Sequence, residues 1–188
     1  MEDVGLSDTS AYARTTSTSG SVVRTDTTAA VGTYSAEFTP NAYLSVPNDV
    51  AFDFGTDDFD FEFRINFKSL AEQSLLGMSN GGGAGTPKWI VLLNYAGAPA
   101  NTICLLIGPG DHLLSWSWTP STGTWYKVEV TRTGNDFKCF IDDVQIGSTI
   151  TNAISMPDVG GDLRVGNDGE GYRYVNGYMD HVRIKRYW

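Results

Sequence analysis

Phe59-Asp60-Phe61-Glu62-Phe63-Arg64-Ile65-Asn66-Phe67 alternates apolar and polar residues without a break. Successive side chains of a strand point to opposite faces, so five large apolar groups lie on one side. Asp60, Glu62, Arg64 and Asn66 lie on the other, the pattern of a strand with one face on a core and one face solvated. Similar short segments follow at 88–93, 102–107, 113–118, 125–131, 137–141, 162–165 and 178–184. Gly, Pro, Asn and Asp punctuate the intervals, and Thr133-Gly134-Asn135-Asp136 and Asp142-Asp143 have hairpin-turn chemistry. Helical periodicity is absent except at 69–76, where one or two turns are predicted. The sum is an all-β sandwich.

The chain has 188 residues, of which 41% are hydrophobic and 19% charged, and a formal net charge of −9. Such a chain forms one domain and buries a sizeable core without a disulfide or zinc scaffold. Residues 1–33, rich in Ser and Thr, read as a leader, a linker or an edge strand of the same domain, and 34–188 as the domain proper. No apolar run approaches the roughly 18 residues of a membrane span, so no membrane insertion is expected. The first ten residues contain no apolar signal core. The acidic balance argues against nucleic acid as a partner, because backbone affinity needs clustered Lys and Arg.

Cys104 and Cys139 each sit in an apolar, strand-like run. As the outer members of a four-strand meander they would stand about 14 Å apart, beyond disulfide reach, and both are expected as reduced core thiols. Together with His112 and His181 they make no zinc spacing, and the two histidines are expected as surface or packing residues.

Three phrases occur together in order. The first joins Asn41-Ala42-Tyr43-Leu44-Ser45-Val46-Pro47 to Phe52-Asp53-Phe54-Gly55 and the alternating strand. The second joins Trp125-Tyr126-Lys127-Val128-Glu129-Val130-Thr131-Arg132 to Phe140-Ile141-Asp142-Asp143-Val144-Gln145-Ile146-Gly147. The third joins Leu163-Arg164-Val165-Gly166 to Asn176-Gly177-Tyr178-Met179-Asp180-His181-Val182-Arg183-Ile184. In this arrangement the chain resembles the laminin-G-like, concanavalin-A-like lectin domains, in the variety found in phage and other viral structural proteins and in bacterial surface proteins. Asp142-Asp143-Val144 replaces the Asn-Gly or Asp-Gly turn frequent in that family.

The resemblance implies an all-β antiparallel jelly roll acting as a non-catalytic carbohydrate-binding or surface-recognition module. It implies a glycan or host-surface polysaccharide as partner, an extracellular or virion-surface location, and oligomers formed through a larger assembly. A polysaccharide-degrading enzyme of the same superfamily and a purely structural decoration domain are the alternatives. Related glucanases carry alternating carboxylates on one strand, as Asp58, Asp60 and Glu62 do here. Their signature begins with Glu, whereas this run begins with Asp and continues to Arg64, so no catalytic residues are expected.

Alternation through Tyr178, Asp180, Val182 and Ile184 places the Asp180 carboxylate on an apolar face, where it requires backbone N–H groups, an arginine or a cation. The resemblance supplies structural Ca²⁺ at a last-strand Asp as the sharper option. The loop 166–177 lacks the Lys and following helix of a phosphate loop. Its Asp168, Tyr172 and Tyr174 are candidates for sugar contact: a carboxylate accepts hydroxyls and a tyrosine ring stacks on a sugar face. Trp116 and Trp118, in phase with Leu114, form either a stacking platform on the sheet or part of the core. Trp89 belongs to the core, Trp125 to a sheet end, and Gly81-Gly82-Gly83-Ala84-Gly85 to a flexible loop.

Overall fold

The computed structural model describes residues 6–81 and 85–187. The first seven strands are β1 (Ser17–Ser19), β2 (Val22–Thr25), β3 (Ser35–Phe38), β4 (Tyr43–Val46), β5 (Asp58–Phe67), β6 (Gln73–Ser79) and β7 (Lys88–Leu93). They are followed by β8 (Thr102–Gly108), β9 (His112–Ser117), β10 (Trp125–Thr133), β11 (Asp136–Ile141), β12 (Val144–Thr151), β13 (Leu163–Val165) and β14 (Gly177–Tyr187). Sheet I has the order β1-β4-β13-β6-β7-β8-β9, and sheet II the order β12-β11-β10-β5-β14-β3-β2. All pairings are antiparallel, giving the jelly-roll sandwich. Asp142 and Asp143, at φ 49° and 67°, make the β11–β12 turn with the paired positive φ of a type I′ hairpin.

The odd residues of β5 are buried as the alternation demands, none more than 1% exposed. Phe61 stacks between Phe59, at 4.2 Å, and Trp89 of β7, at 4.7 Å, so sheet II is clasped to sheet I through its central strand. Burying each such side chain stabilises the fold by about 1.5–3 kcal/mol. Trp116 and Trp118 are core residues, 2% and 8% exposed, which removes them as a stacking platform. The Trp116 indole N–H donates to the Ser148 carbonyl at 3.1 Å, tying the edge strand of sheet I to that of sheet II.

Both cysteines are buried and free, but they occupy different sheets and not one meander. Burial pushes the Cys139 thiol up to about 12. Cys104 lies on the outer side of sheet I with Ile90, Leu92 and Leu106, beneath Tyr95 and Ala98.

The helix expected at 69–76 is absent, and β6 begins at Gln73. Every residue of β6 is buried, so both faces are covered and no alternation marks it as a strand. Within residues 1–33, β1 pairs with β4 and β2 with β3, forming an outer strand of each sheet. The glycine loop expected at 81–85 falls mostly outside the described residues. Asp180 is not on the apolar face. It stands opposite Arg64 on the polar face, because a bulge carrying His181 at φ 49° separates it from Arg183 and Ile184. Three steps along β14 match two along β5 there, so the inward set changes from Met179 to Ile184 in the opposite phase.

Candidate functional site

The outer face of sheet II gathers the polar residues of three neighbouring strands. Glu129 of β10 and Arg183 of β14 both stand opposite Glu62 of β5, while Thr131 and Lys185 flank Asp60. The long flanking side chains fold over the short carboxylates, so this face is not solvated as alternation suggested: Asp60 and Glu62 are only 8% and 4% exposed. Glu62 accepts a hydrogen bond from Arg183. The Lys127 ammonium lies 3.5 Å from Glu62 and 3.6 Å from Glu129. Asp60, Glu62 and Glu129 each offer an oxygen within 4.8 Å of the others. Asp60 Oδ1 is buried and has no hydrogen-bond donor. Burial, then the Glu129 and Glu62 charges, push the Asp60 carboxyl above its ordinary 3.8, against partial opposition from Arg183 and Lys185.

Beside this cluster is an open depression of about 530 Å³, lined by Asp58, Asp60, Glu129, Lys138, Phe140 and Tyr187. Phe140 faces outward because it pairs with Glu129, and Tyr187 because it pairs with Asp58. The two aromatic strands lie three strand spacings apart, about 14 Å, and Phe140 is level with Glu62 while Tyr187 is level with Asp58, so their rings edge a trough running diagonally across the sheet. Ring faces at both borders and carboxylate acceptors along the floor suit a chain of hydroxyl-bearing rings. The sequence singled out Asp58, Asp60 and Glu62 as alternating carboxylates but not the trough; a further signal was Phe140, the aromatic out of phase with the inward Phe137, Cys139 and Ile141.

The C-terminal loop is built differently. Asp168 is fully buried, accepting from Ser74 Oγ at 2.8 Å, Arg173 Nη1 at 2.6 Å and the Glu170 N–H at 2.8 Å. It is a structural anchor with no surface for a ligand, which corrects its place among the sugar contacts. Arg173 also pairs with Glu72 and Glu170, its guanidinium lying over Tyr172 at 4.3 Å and Tyr95 at 5.2 Å. Lys88 adds contacts of 3.2 Å to Glu170 and 3.1 Å to Asp111. Tyr174 is half-buried, and only Tyr172, 64% exposed, projects from the loop. Gly166 opens the loop at φ 87°, where a Cβ would meet the Phe38 ring at 2.7 Å. The loop therefore brings Asp168 and Tyr172 together through Arg173, while the two tryptophans lie apart in the core.

Asp180 Oδ2 accepts the backbone N–H groups of Ala30 at 3.0 Å and Val31 at 2.9 Å. A cation on that oxygen would face the positive ends of two N–H dipoles. That oxygen is therefore satisfied by backbone N–H groups, the first of the alternatives expected for Asp180. His112 and His181 are exposed, the latter 3.7 Å from Glu62. Trp125 packs at the end of β10, its indole N–H donating to Thr28 at 2.8 Å.

A family model described as the concanavalin A-like lectin/glucanases superfamily matches residues 35–187. The chain belongs to that superfamily. Among solved structures, domain 4 of AbnA, a GH43 extracellular arabinanase from Geobacillus stearothermophilus in complex with arabinotriose, is 14% identical. It aligns over 90% of this chain and 81% of its own, with a TM-score of 0.69. The binding domain of botulinum neurotoxin serotype D is 13% identical, with 97% of this chain aligned to 46% of that one and a TM-score of 0.65. The carbohydrate-binding module CBM66 from Bacillus subtilis is 10% identical over 90% of this chain and 94% of its own, with a TM-score of 0.52. At these identities the likeness to these solved structures is one of fold. No curated protein matches the chain by sequence. Among the described residues no helix is long and apolar enough to cross a membrane.

Proposed function

We propose that this chain is a non-catalytic carbohydrate-binding module whose glycan lies in the trough on the outer face of sheet II. The observation that carries this reading is the trough itself: aromatic rings at its borders and, in its floor, a buried Asp60 oxygen without a donor. A sugar hydroxyl entering the trough donates to the part of the Asp60 carboxylate that lines it, and Phe140 and Tyr187 supply the aromatic borders. Solved neighbours named for carbohydrate binding, and one held with arabinotriose, support the partner class. We place the module outside the cell, on a bacterial surface or a virion, where polysaccharide is met. The extracellular arabinanase among its neighbours supports the first part of that setting.

The pairing of the other carboxylates supports binding over hydrolysis, since within this cluster Asp60 alone is left free to act as an acid. A glycosidase needs one carboxyl free to protonate the leaving group and a second placed to attack or to activate water. Glu62 is committed to Arg183 and Lys127, and Asp58 Oδ1 accepts the Gly134 N–H at 2.6 Å. A glycan array on the isolated chain tests the reading: binding is expected without release of reducing ends, and weakened in Tyr187→Ala and Phe140→Ala. Reducing ends that appear with the protein and vanish in Glu62→Gln would make it an enzyme, and silence across the array would remove the module.

A further inference from the structure

The three carboxylates of the trough are not equally satisfied. Glu62 has Arg183 and Lys127, and Glu129 has Lys127. Among the described residues Asp60 has neither a hydrogen-bond donor on Oδ1 nor an ion pair, although it is 8% exposed and oxygens of Glu62 and Glu129 lie within 4.8 Å. Lys138 borders the trough and Lys185 stands beside Asp60 in register, but neither forms an ion pair with it. An unpaired carboxyl at such a depth is costly as an anion, and burial together with the Glu129 charge pushes it above its ordinary value. Oδ1 itself is covered, so a positive donor from the open side meets the part of the carboxylate that lines the trough and relieves the charge there.

We infer that the trough prefers glycans bearing a free, protonated amine, with the ammonium set between Asp60 and Glu129 and the sugar ring carried toward Phe140 and Tyr187. This rests on the glycan-binding reading above and names its substrate class. An ammonium has three donors and no acceptor, which suits a site made of carboxylate oxygens. The cluster already accommodates one such group, since the Lys127 ammonium sits between Glu62 and Glu129. A bare divalent ion suits it less. It would lie next to that same ammonium, and it would leave most of a 530 Å³ trough and both aromatic borders without a role. The aromatic rings add cation–π attraction for an amine that lies over them. Uronic and sialylated chains would bring a carboxylate to an acidic floor and are disfavoured.

The test compares glucosamine oligomers, the matching N-acetylglucosamine oligomers and galacturonic acid oligomers by calorimetric titration at about pH 6, where an amine of α-amino type is protonated. The free-amine series is expected to bind about ten- to a hundredfold more tightly than the acetylated one, the worth of one charge-assisted hydrogen bond. Asp60→Asn is isosteric and should abolish the difference; Glu129→Gln, on a half-buried position, should reduce it even if the first variant fails to fold. Equal affinity for amine and acetamide would overturn the inference and leave the glycan-binding reading standing. A preference that survives in both variants would overturn the location. Calcium binding that is lost in Asp60→Asn, with no amine preference, would assign the cluster to a metal instead. Failure of every glycan class, on this panel and on the array, would remove the underlying reading.

Discussion

The outer face of sheet II and the 166–176 loop are made of the same materials, carboxylates, arginine, lysine and tyrosine, yet they are finished differently. In the loop the donors and acceptors close on one another. Asp168 takes three donors, and Arg173 is shared by Glu72, Asp168 and Glu170 between two tyrosine rings. On the sheet face Glu62 is satisfied, but Asp60 beside it is left short of a donor. A network closed on itself shapes the fold, whereas one left open toward a trough has capacity for a ligand. The two also carry opposite proton linkages. Burial and neighbouring carboxylates raise Asp60, while hydrogen bonds from Arg173 and Lys88 outweigh burial and hold Glu170 below its ordinary value.

Both regions rest on the sandwich core, so the largest effect belongs there. Phe61→Ala removes the ring stacked between Phe59 and Trp89 beneath the trough and should cost about 3–5 kcal/mol in denaturant unfolding. A loss below about 1 kcal/mol would show that the rings repack freely. Asp168→Ala should come next, at about 3 kcal/mol, because a buried guanidinium loses one partner while Glu72 and Glu170 remain. A neutral result would deny that the loop is a closed structural network. That expectation reverses the one drawn from the sequence, where Asp168 was an exposed sugar contact.

The linkages separate the two regions without breaking either. The Asp60 pKa is raised above 3.8 in the fold, so its cost is absent below that value and grows as pH rises through the folded pKa. Asp60→Asn should therefore gain stability relative to wild type toward neutral pH. Glu170 is lowered below 4.5, so its contribution is present above that value and is lost as pH falls through the folded pKa. Glu170→Gln should lose stability near neutrality and flatten the acid limb. Thermal melts of both variants from acid to neutral pH check the signs, and two curves displaced in the same direction would break the contrast. The smallest effect is at Tyr172, 64% exposed, where Ala gives up the cation–π contact with Arg173 and should cost about 1 kcal/mol or less while leaving glycan affinity unaltered.

How much of this was legible in the sequence follows from where alternation survives. Strand β5 was plain because its apolar residues recur at every second position, as they do in β10 and β11, whereas β7 and β8, buried on both faces, were legible as short apolar runs. Strand β6 was hidden because its buried faces include Gln73, Ser74, Gly77 and Ser79, so it shows neither alternation nor a continuous apolar run. Asp180 was assigned to the wrong face because a bulge changes the phase of β14 between Asp180 and Arg183, and nothing in that sequence announces it. The trough was missed for a further reason. Its floor is made by three strands from distant parts of the chain, so the meeting of Asp60, Glu129 and Tyr187 is a property of register and not of any one segment. The loop, by contrast, displayed its carboxylates and tyrosines in one stretch, but a sequence does not reveal that Ser74 and Glu72 arrive to close it.

The central claim, that recognition belongs to the sheet face and not to the C-terminal loop, is tested most directly by mapping amide and side-chain NMR shifts while a glycan chosen from the array is titrated in. The account predicts shifts concentrated at Asp60, Glu129, Phe140 and Tyr187, with Tyr172 and Arg173 unmoved. Shifts confined to Tyr172, Tyr174 and Arg173, with the trough silent, would contradict it.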